Sequence, residues 1–506
     1  MTLYVNLGAA FREPEDSARL AMVDLSGPSV RTFTYARLQQ LCKAAARGFV
    51  KKGFRRGDSI AVLSANRTEY LVAVFGALQA GLVPVPVNHK LTPKAIAHLL
   101  ADSGARVVFC DKGCEDLMPP AMPRISFDDA GADGFEAFLD DGPFECTRPD
   151  PGELGLVIYT SGSTGQPKGV MFPHLGHLWA LDQRTNAHSP VGETTLVAAP
   201  LYHQNGLASC QSALGSGGTI VLLPGFVAAE FIEAIAEHRV TMVTAVPTMI
   251  AMVAREHETL ARADLGSVRI VRVSSAPSTP ELLAQARRLF PNAHVVNGFG
   301  TTEGGPVFFG PHPEGKPQPE MSVGCAHPQV TLRLMHGGAE VQDQGVMQIR
   351  SRALMLGYRN MPEASARAFT ADGFYDTGDI FRRDADGFFY FVSRADDMFT
   401  CGGENIFPSA VEAVLLRHPQ VDEACVVAVP DDIKGHKPVA FVVPKSRSLT
   451  EDELKRHALA NAPAYQHPRR IWFMAALPLA STNKVDRKLL TQQAVSHLSP
   501  SKAATA

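Results

Sequence analysis

Short apolar runs alternate with helix-length windows along more than half of the chain, and this rhythm limits the possible folds more than any other feature. Leu38, Leu41, Ala45 and Phe49 recur at helical spacing and give way to the run Ile60-Ala-Val-Leu63. A helix is expected over 69–80, an edge-like strand at Val85-Pro-Val87, and another helix after Thr92-Pro93, a cap residue followed by the proline that a first helical turn tolerates. Val107-Val-Phe109 closes the unit. Beyond an Asp/Gly/Pro-rich stretch at 128–153 the pattern resumes with Leu156-Val-Ile158, Leu196-Val-Ala198, Ile220-Val-Leu-Leu223, Val240-Thr-Met-Val243, Ile270-Val-Arg-Val273 and Val295-Val296. Strands this apolar, joined by helices, predict parallel sheets covered on both faces, with ligands gathering at the carboxyl ends of strands.

Past residue 330 the texture changes to short segments with glycine turns, which predicts a small β-rich section. A last α+β unit follows, with helices over 410–417 and 451–460 and strands at 424–428, 439–443 and 471–474. The fold class is therefore α/β: a large N-terminal domain of two stacked βα subdomains plus the small β section, over 1–395, and a small α+β domain over 396–506. A chain of 506 residues with 45% hydrophobic and 20% charged residues is also longer than one core usually serves. A formal net charge of -3 gives no drive toward nucleic acid or an anionic membrane. The start of the chain lacks a cationic segment followed by a long apolar run, and no apolar stretch approaches membrane-spanning length, so a cytoplasmic protein without integral membrane contact is expected. Eight scattered cysteines without a Cys-x-x-Cys pair read as ordinary reduced thiols.

The string Tyr159-Thr-Ser-Gly-Ser-Thr-Gly-Gln-Pro-Lys168-Gly169 holds the densest chemistry. Gly162, Gly165 and Gly169 would let the backbone approach phosphate oxygens, while Thr160, Ser161, Ser163, Thr164 and Lys168 supply hydroxyl and ammonium donors. The ATPase loop Gly-x-x-x-x-Gly-Lys-Ser/Thr does not fit, because after Gly162 and four further residues comes Pro167 where glycine is required, and Lys168 is followed by glycine. By itself such a string is also an ordinary surface turn with a solvated lysine. As a whole it resembles the phosphate-binding loop of the adenylate-forming superfamily, which contains acyl-CoA synthetases, peptide-synthetase adenylation domains and firefly luciferase.

Further segments of the same resemblance follow in order. Pro200-Leu-Tyr-His203-Gln-Asn-Gly206 is similar to the family segment whose histidine borders the acyl pocket. Ser275-Ala276-Pro277 and Asn297-Gly298-Phe299-Gly300-Thr301-Thr302-Glu303 resemble its adenine section, with Phe299 where tyrosine is usual. The resemblance implies that Phe299 stacks on adenine, Thr302 contacts the α-phosphate and Glu303 binds Mg2+. In Tyr375-Asp-Thr-Gly-Asp379 the second aspartate would accept the ribose hydroxyls, and Arg394 would also reach the ribose. Pro478-Leu-Ala-Ser-Thr-Asn483-Lys484 resembles the motif carrying the catalytic lysine, with asparagine where glycine is commoner. Each string alone reads as a turn or a structural side chain; six in the right order do not.

The resemblance implies attack of a carboxylate on the α-phosphorus of ATP, with Lys484 neutralising the reacting charge and Lys168 holding the pyrophosphate, assisted by His203, Thr302 and Glu303. Transfer of the acyl group to coenzyme A would follow rotation of a mobile C-terminal domain about Asp396, bringing Gly402, Gly403 and Glu404 to the thiol tunnel. The acid pocket would be walled by His203, Asn205, Met249, Gly298, Gly304 and Val307, with glycines creating room, which suits an aryl, arylpropenoic or medium-chain acid. These segments contain no arginine to mark a dicarboxylate. Loading of a carrier protein, and a catalytically silent nucleotide-binding homologue, are the alternatives; a homodimer is compatible with either.

Overall fold

In the computed structural model, which describes residues 4–12, 18–161, 167–188, 192–401, 404–431, 433–480 and 484–498, most of these apolar runs become strands. They fall into two units: Met1–Pro311 with Cys325–Leu332 and Ile349–Asp376, and Thr377–Ala506 with His312–Gly324 and Arg333–Gln348.

The first unit is built on two mainly parallel sheets. One runs in the order His294–Asn297, Ile270–Val273, Met242–Ala245, Thr194–Val197, Thr219–Leu222, Leu20–Asp24, Arg31–Thr34, parallel except at the last pair. That hairpin precedes Thr34, where the sequence rhythm begins, and was not anticipated. The other sheet runs Val83–Pro86, Ser59–Leu63, Ala105–Cys110, Arg124–Ser126, all parallel. Its core joins Ala61, Leu63, Val85 and Val108 to Ile96 and Leu99 of the helix Pro93–Ser103. Thr92 caps that helix, its hydroxyl accepting from Ala95 N at 3.4 Å, and Gly104 ends it at φ 64°.

One strand departs from the parallel expectation. Leu154–Ser161 pairs antiparallel with Pro167–Pro173, and Gly357–Tyr358 adds to the outer edge of the latter. The two arms are separated by five residues of sequence, 162–166, whereas a parallel crossover needs a dozen or more. The segment identified as phosphate-binding therefore spans a hairpin connection, and Gly162, Ser163, Thr164 and Gly165 lie outside the described residues.

In the second unit Tyr375–Arg383 pairs antiparallel with Phe389–Arg394. The long antiparallel pair Val421–Asp431 and Gly435–Pro444 carries two cores, because side chains alternate across a strand. Val426, Ala440 and Val442 face the helices Pro408–Leu416 and Glu451–Asn461, and Cys425, Val427 and Phe441 face Leu490 and Ala494. Those last two belong to a helix, Arg487–Leu498, that sequence patterning did not reveal. Among the described residues no helix is long and apolar enough to cross a membrane.

Candidate active site

In the first unit Lys168 and Glu303 meet on a residue that sequence reading did not single out. Hairpin register sets Thr160 opposite Lys168 and Tyr159 opposite Gly169. The Lys168 ammonium lies over the Tyr358 ring, 5.0 Å from its centre, and the Tyr358 hydroxyl donates to Glu303 Oε1 at 3.0 Å. One tyrosine thus presents its negative face to the cation and its O–H to the carboxylate. Tyr358 is placed by the strand Gly357–Tyr358, opposite Val170, while Met355 N donates to the Glu303 carbonyl and Arg359 N to the Gly169 carbonyl.

Gly169 has a different reason from the one first given for it. A Cβ there would lie 2.9 Å from Tyr159 Cζ, so this glycine admits the Tyr159 ring. The Tyr159 hydroxyl donates to Asp102 Oδ2 at 2.5 Å, and burial with that carboxylate pushes it above the usual tyrosine range. Gly304 is corrected in the same way: a Cβ there would strike the Phe308 ring, so the glycine makes way for a packed aromatic and does not create empty room.

The adenine section lies at adjoining strand ends. Val273 pairs with Asn297, Ser274 N donates to Ala245 O at 3.0 Å, and Gly298 N donates to Val273 O at 2.8 Å. Ser275 follows at φ +69°, a left-handed conformation costly for a residue with a side chain and concentrated at functional sites. Ala276 is half-buried and Pro277 exposed. Phe299 is half-buried, its ring edge-on to Phe308 at 5.3 Å, beyond it come exposed Gly300 and half-buried Thr302, and Thr301 Oγ1 accepts from Gly304 N at 2.9 Å. His203 is the cap residue of the helix Gln204–Gly215, its ring 4.6 Å from that of Tyr202. Asn205 is half-buried in the first turn, and Met249 and Val307 are buried.

In the second unit the β register explains the ribose motif. Asp379 and Arg394 are direct cross-strand partners, and Arg394 Nη1 reaches Asp379 Oδ1 at 3.1 Å. Arg394 Nε also holds Asp396 Oδ1 at 2.9 Å, which outweighs burial and keeps that carboxyl below its usual range. Thr377 fixes the turn, donating to Met347 O and accepting from Asp379 N. Lys484 is exposed by surface area, yet enclosure by protein atoms holds its ammonium below the usual lysine range, against the pull of the Asp379 carboxylate. Glu404 is exposed in the strand Glu404–Ile406, paired with Phe399–Cys401; Gly402 and Gly403 lie outside the described residues.

A family model described as AMP-binding enzyme matches residues 11–359, and the C-terminal domain model of the same enzymes matches 410–484. The chain belongs to the AMP-binding enzymes. It is 33% identical to a feruloyl-CoA synthase of an Amycolatopsis species, over 89% of this chain and 92% of that one, and 30% identical to 4-coumarate--CoA ligase 4 of Arabidopsis thaliana, over 94% and 88%. The solved anthranilate CoA ligase AuaEII, in complex with anthranoyl-AMP, shares the fold with a TM-score of 0.89 at 24% identity, covering 98% of both chains. These relatives place the AMP-binding chain in the acyl-CoA synthetase branch, as an AMP-forming acid–thiol ligase.

Within this family frame Glu303 suits a magnesium ion. One oxygen is committed to Tyr358, and among the described residues Oε2 accepts no hydrogen bond. No group of three or more His, Cys, Asp or Glu that could hold a metal occurs among the described residues. A lone carboxylate that shares its ion with phosphates and water is the usual manner for Mg2+. Tyr358 itself carried no signal in the sequence, since its partners lie 190 and 55 residues away.

Proposed function

We propose that this protein joins an arylpropenoic, aryl or medium-chain carboxylic acid to coenzyme A through an acyl-adenylate, releasing AMP and pyrophosphate. The acid class is supported by the relatives' activities on ferulate and 4-coumarate and by the apolar walls at Met249 and Val307. The observation that carries the reaction is the match to the AMP-binding enzymes and their C-terminal domain up to Lys484, a cation in the same unit as the Asp379–Arg394 pair. Bringing a carboxylate against a polyphosphate sets anion on anion, and fixed positive charge is what lowers that barrier.

In this reading Asp379 and Arg394 hold the ribose, Phe299 and Asn297 the adenine, Lys168 the pyrophosphate, and Thr302 the α-phosphate. Glu303 would hold Mg2+, whose contribution is to screen phosphate charge. His203 borders the acid, and Lys484 neutralises its carboxylate. Asp396 is the hinge between the half-reactions, with Gly402, Gly403 and Glu404 serving the thiol step.

Two separately measured half-reactions test this. Lys484→Ala should lower acid-dependent pyrophosphate exchange by about a hundred- to a thousand-fold and largely spare thioester formation from supplied acyl-adenylate. Asp396→Pro should do the opposite. Equal loss of both steps in Lys484→Ala would remove that lysine from adenylation, and thioester formation at the normal rate in Asp396→Pro would place the hinge elsewhere.

A further inference from the structure

Under the helix Gln204–Gly215, which His203 caps, the first unit holds a small pocket that the reaction just described does not use. Arg184 enters it from the helix His174–His188 and Arg272 from the strand Ile270–Val273, with Thr195, Ser209 and Ser212 around them. Alternation along the strand explains Arg272: Val271 and Val273 are buried on one face, and Arg272 points to the other. Arg184 Nη1 donates to Ala208 O at 3.3 Å. Among the described residues, nothing hydrogen-bonds to the Arg272 guanidinium or forms an ion pair with it. Ser212 Oγ is buried and also has no hydrogen-bond partner among them.

Glu193 lines the pocket too, but its carboxylate is already taken. Its Oε1 bonds Arg269 Nη2 at 2.7 Å, and its Oε2 accepts from the Thr241 hydroxyl. Burial, and then the neighbouring Arg272 charge, push Arg184 down to about 9, and burial alone lowers Arg272. Both remain cations at neutral pH. Enclosing like charges is costly unless an anion answers them, and guanidinium groups match a carboxylate best.

We propose that this pocket receives a second anionic group on the acid, so that the preferred substrates are acids with a carboxylate remote from the one activated. The inference rests on the ligase reading above. At about 1.5 Å per residue along the helix, Ser209 and Ser212 lie about 9 and 14 Å beyond the His203 cap. That is the reach of an arylpropenoate with a carboxylate on the far side of its ring, or of a medium-chain α,ω-diacid. The room between the side chains is about 10 Å³, the size of a single water, so the side chains part slightly to admit the carboxylate tip and nothing larger.

The test uses the full-length protein with ATP, Mg2+ and coenzyme A, and reads pyrophosphate release on matched pairs: para-carboxycinnamic acid against its far-end methyl ester, and nonanedioic against nonanoic acid. The diacid should exceed its partner in kcat/KM by about tenfold or more. In Arg272→Met that ratio should collapse toward one, with the change mainly in KM, and Arg272→Lys should restore part of it. Equal or better turnover of the mono-acids by the wild type, with the ratio unmoved in Arg272→Met, would overturn the proposal. So would stabilisation of the wild type but not Arg272→Met by sulfate without a diacid preference, since the pocket would then serve an inorganic anion. Pyrophosphate release with no acid at all would instead overturn the ligase reading.

Discussion

Two regions of the first unit bring arginines together, and they differ in what answers the charge. Around Arg31 and Arg67 the chain supplies carboxylates: Arg31 reaches Asp24 at 2.6 Å and Glu69 at 2.5 Å, and Arg67 reaches Glu69 and Asp128 at 2.8 and 2.7 Å. Asp24 is fully buried, yet hydrogen bonds from Ser26 and Thr68 and the Arg31 charge overcome burial and hold it below its usual range. Around Arg272 stand the hydroxyls of Thr195, Ser209 and Ser212 and a single carboxylate, Glu193, that is already bound to Arg269 and Thr241. Charge met within the chain marks structure, and charge left for something else marks a site. The second unit repeats the lesson over three residues: Arg487 is held above its usual range because the Glu412 carboxylate at 2.7 Å outweighs burial, while Lys484 is held below.

The comparison breaks first on stability. Glu412→Ala strips a half-buried guanidinium of its carboxylate and should cost about 1.5–3 kcal/mol in denaturant unfolding. Arg272→Met removes a cation with no carboxylate partner and should shift stability by no more than about 1 kcal/mol, in either direction. Similar large losses in both variants would mean that Arg272 is structural and that its pocket needs no ligand.

A smaller effect sharpens the contrast at Lys484. The lysine acts as a cation, so pyrophosphate release should fall as pH rises through its lowered pKa, earlier than an ordinary lysine would allow. The Asp379 carboxylate raises that pKa, so Asp379→Asn should move the alkaline limb of kcat at saturating ATP to lower pH. A limb that stays in place would show that another group sets it.

Much of this was legible from the chain because the signals are local. The Thr92-Pro93 cap and most of the apolar strands form close to where the residues said, and antiparallel register makes Asp379 and Arg394 neighbours. What was hidden depends on contacts distant in sequence. Leu156-Val-Ile158 looks like any buried parallel strand until its partner is known, and that partner begins and ends in proline. Tyr358 is unremarkable until Lys168 and Glu303 close on it. Arg272 sits inside an apolar run that reads simply as strand; periodicity turns it away from the valines but cannot say which helix covers that face, nor that Arg184 and Ser212 arrive there.

The turn joining the two ribose strands also bears on how this chain can vary over time. Asp384 ties it off, accepting from Asp386 N, Phe388 N and the Tyr390 hydroxyl, while its own N–H donates to Phe388 O. A one-residue slip of a strand carries every side chain to the opposite face. An insertion or deletion that slid Phe389–Arg394 by one place would therefore turn Arg394 away from Asp379 while leaving a well-formed sheet. Homologues should accordingly drift in composition across residues 384–388 much more freely than in length.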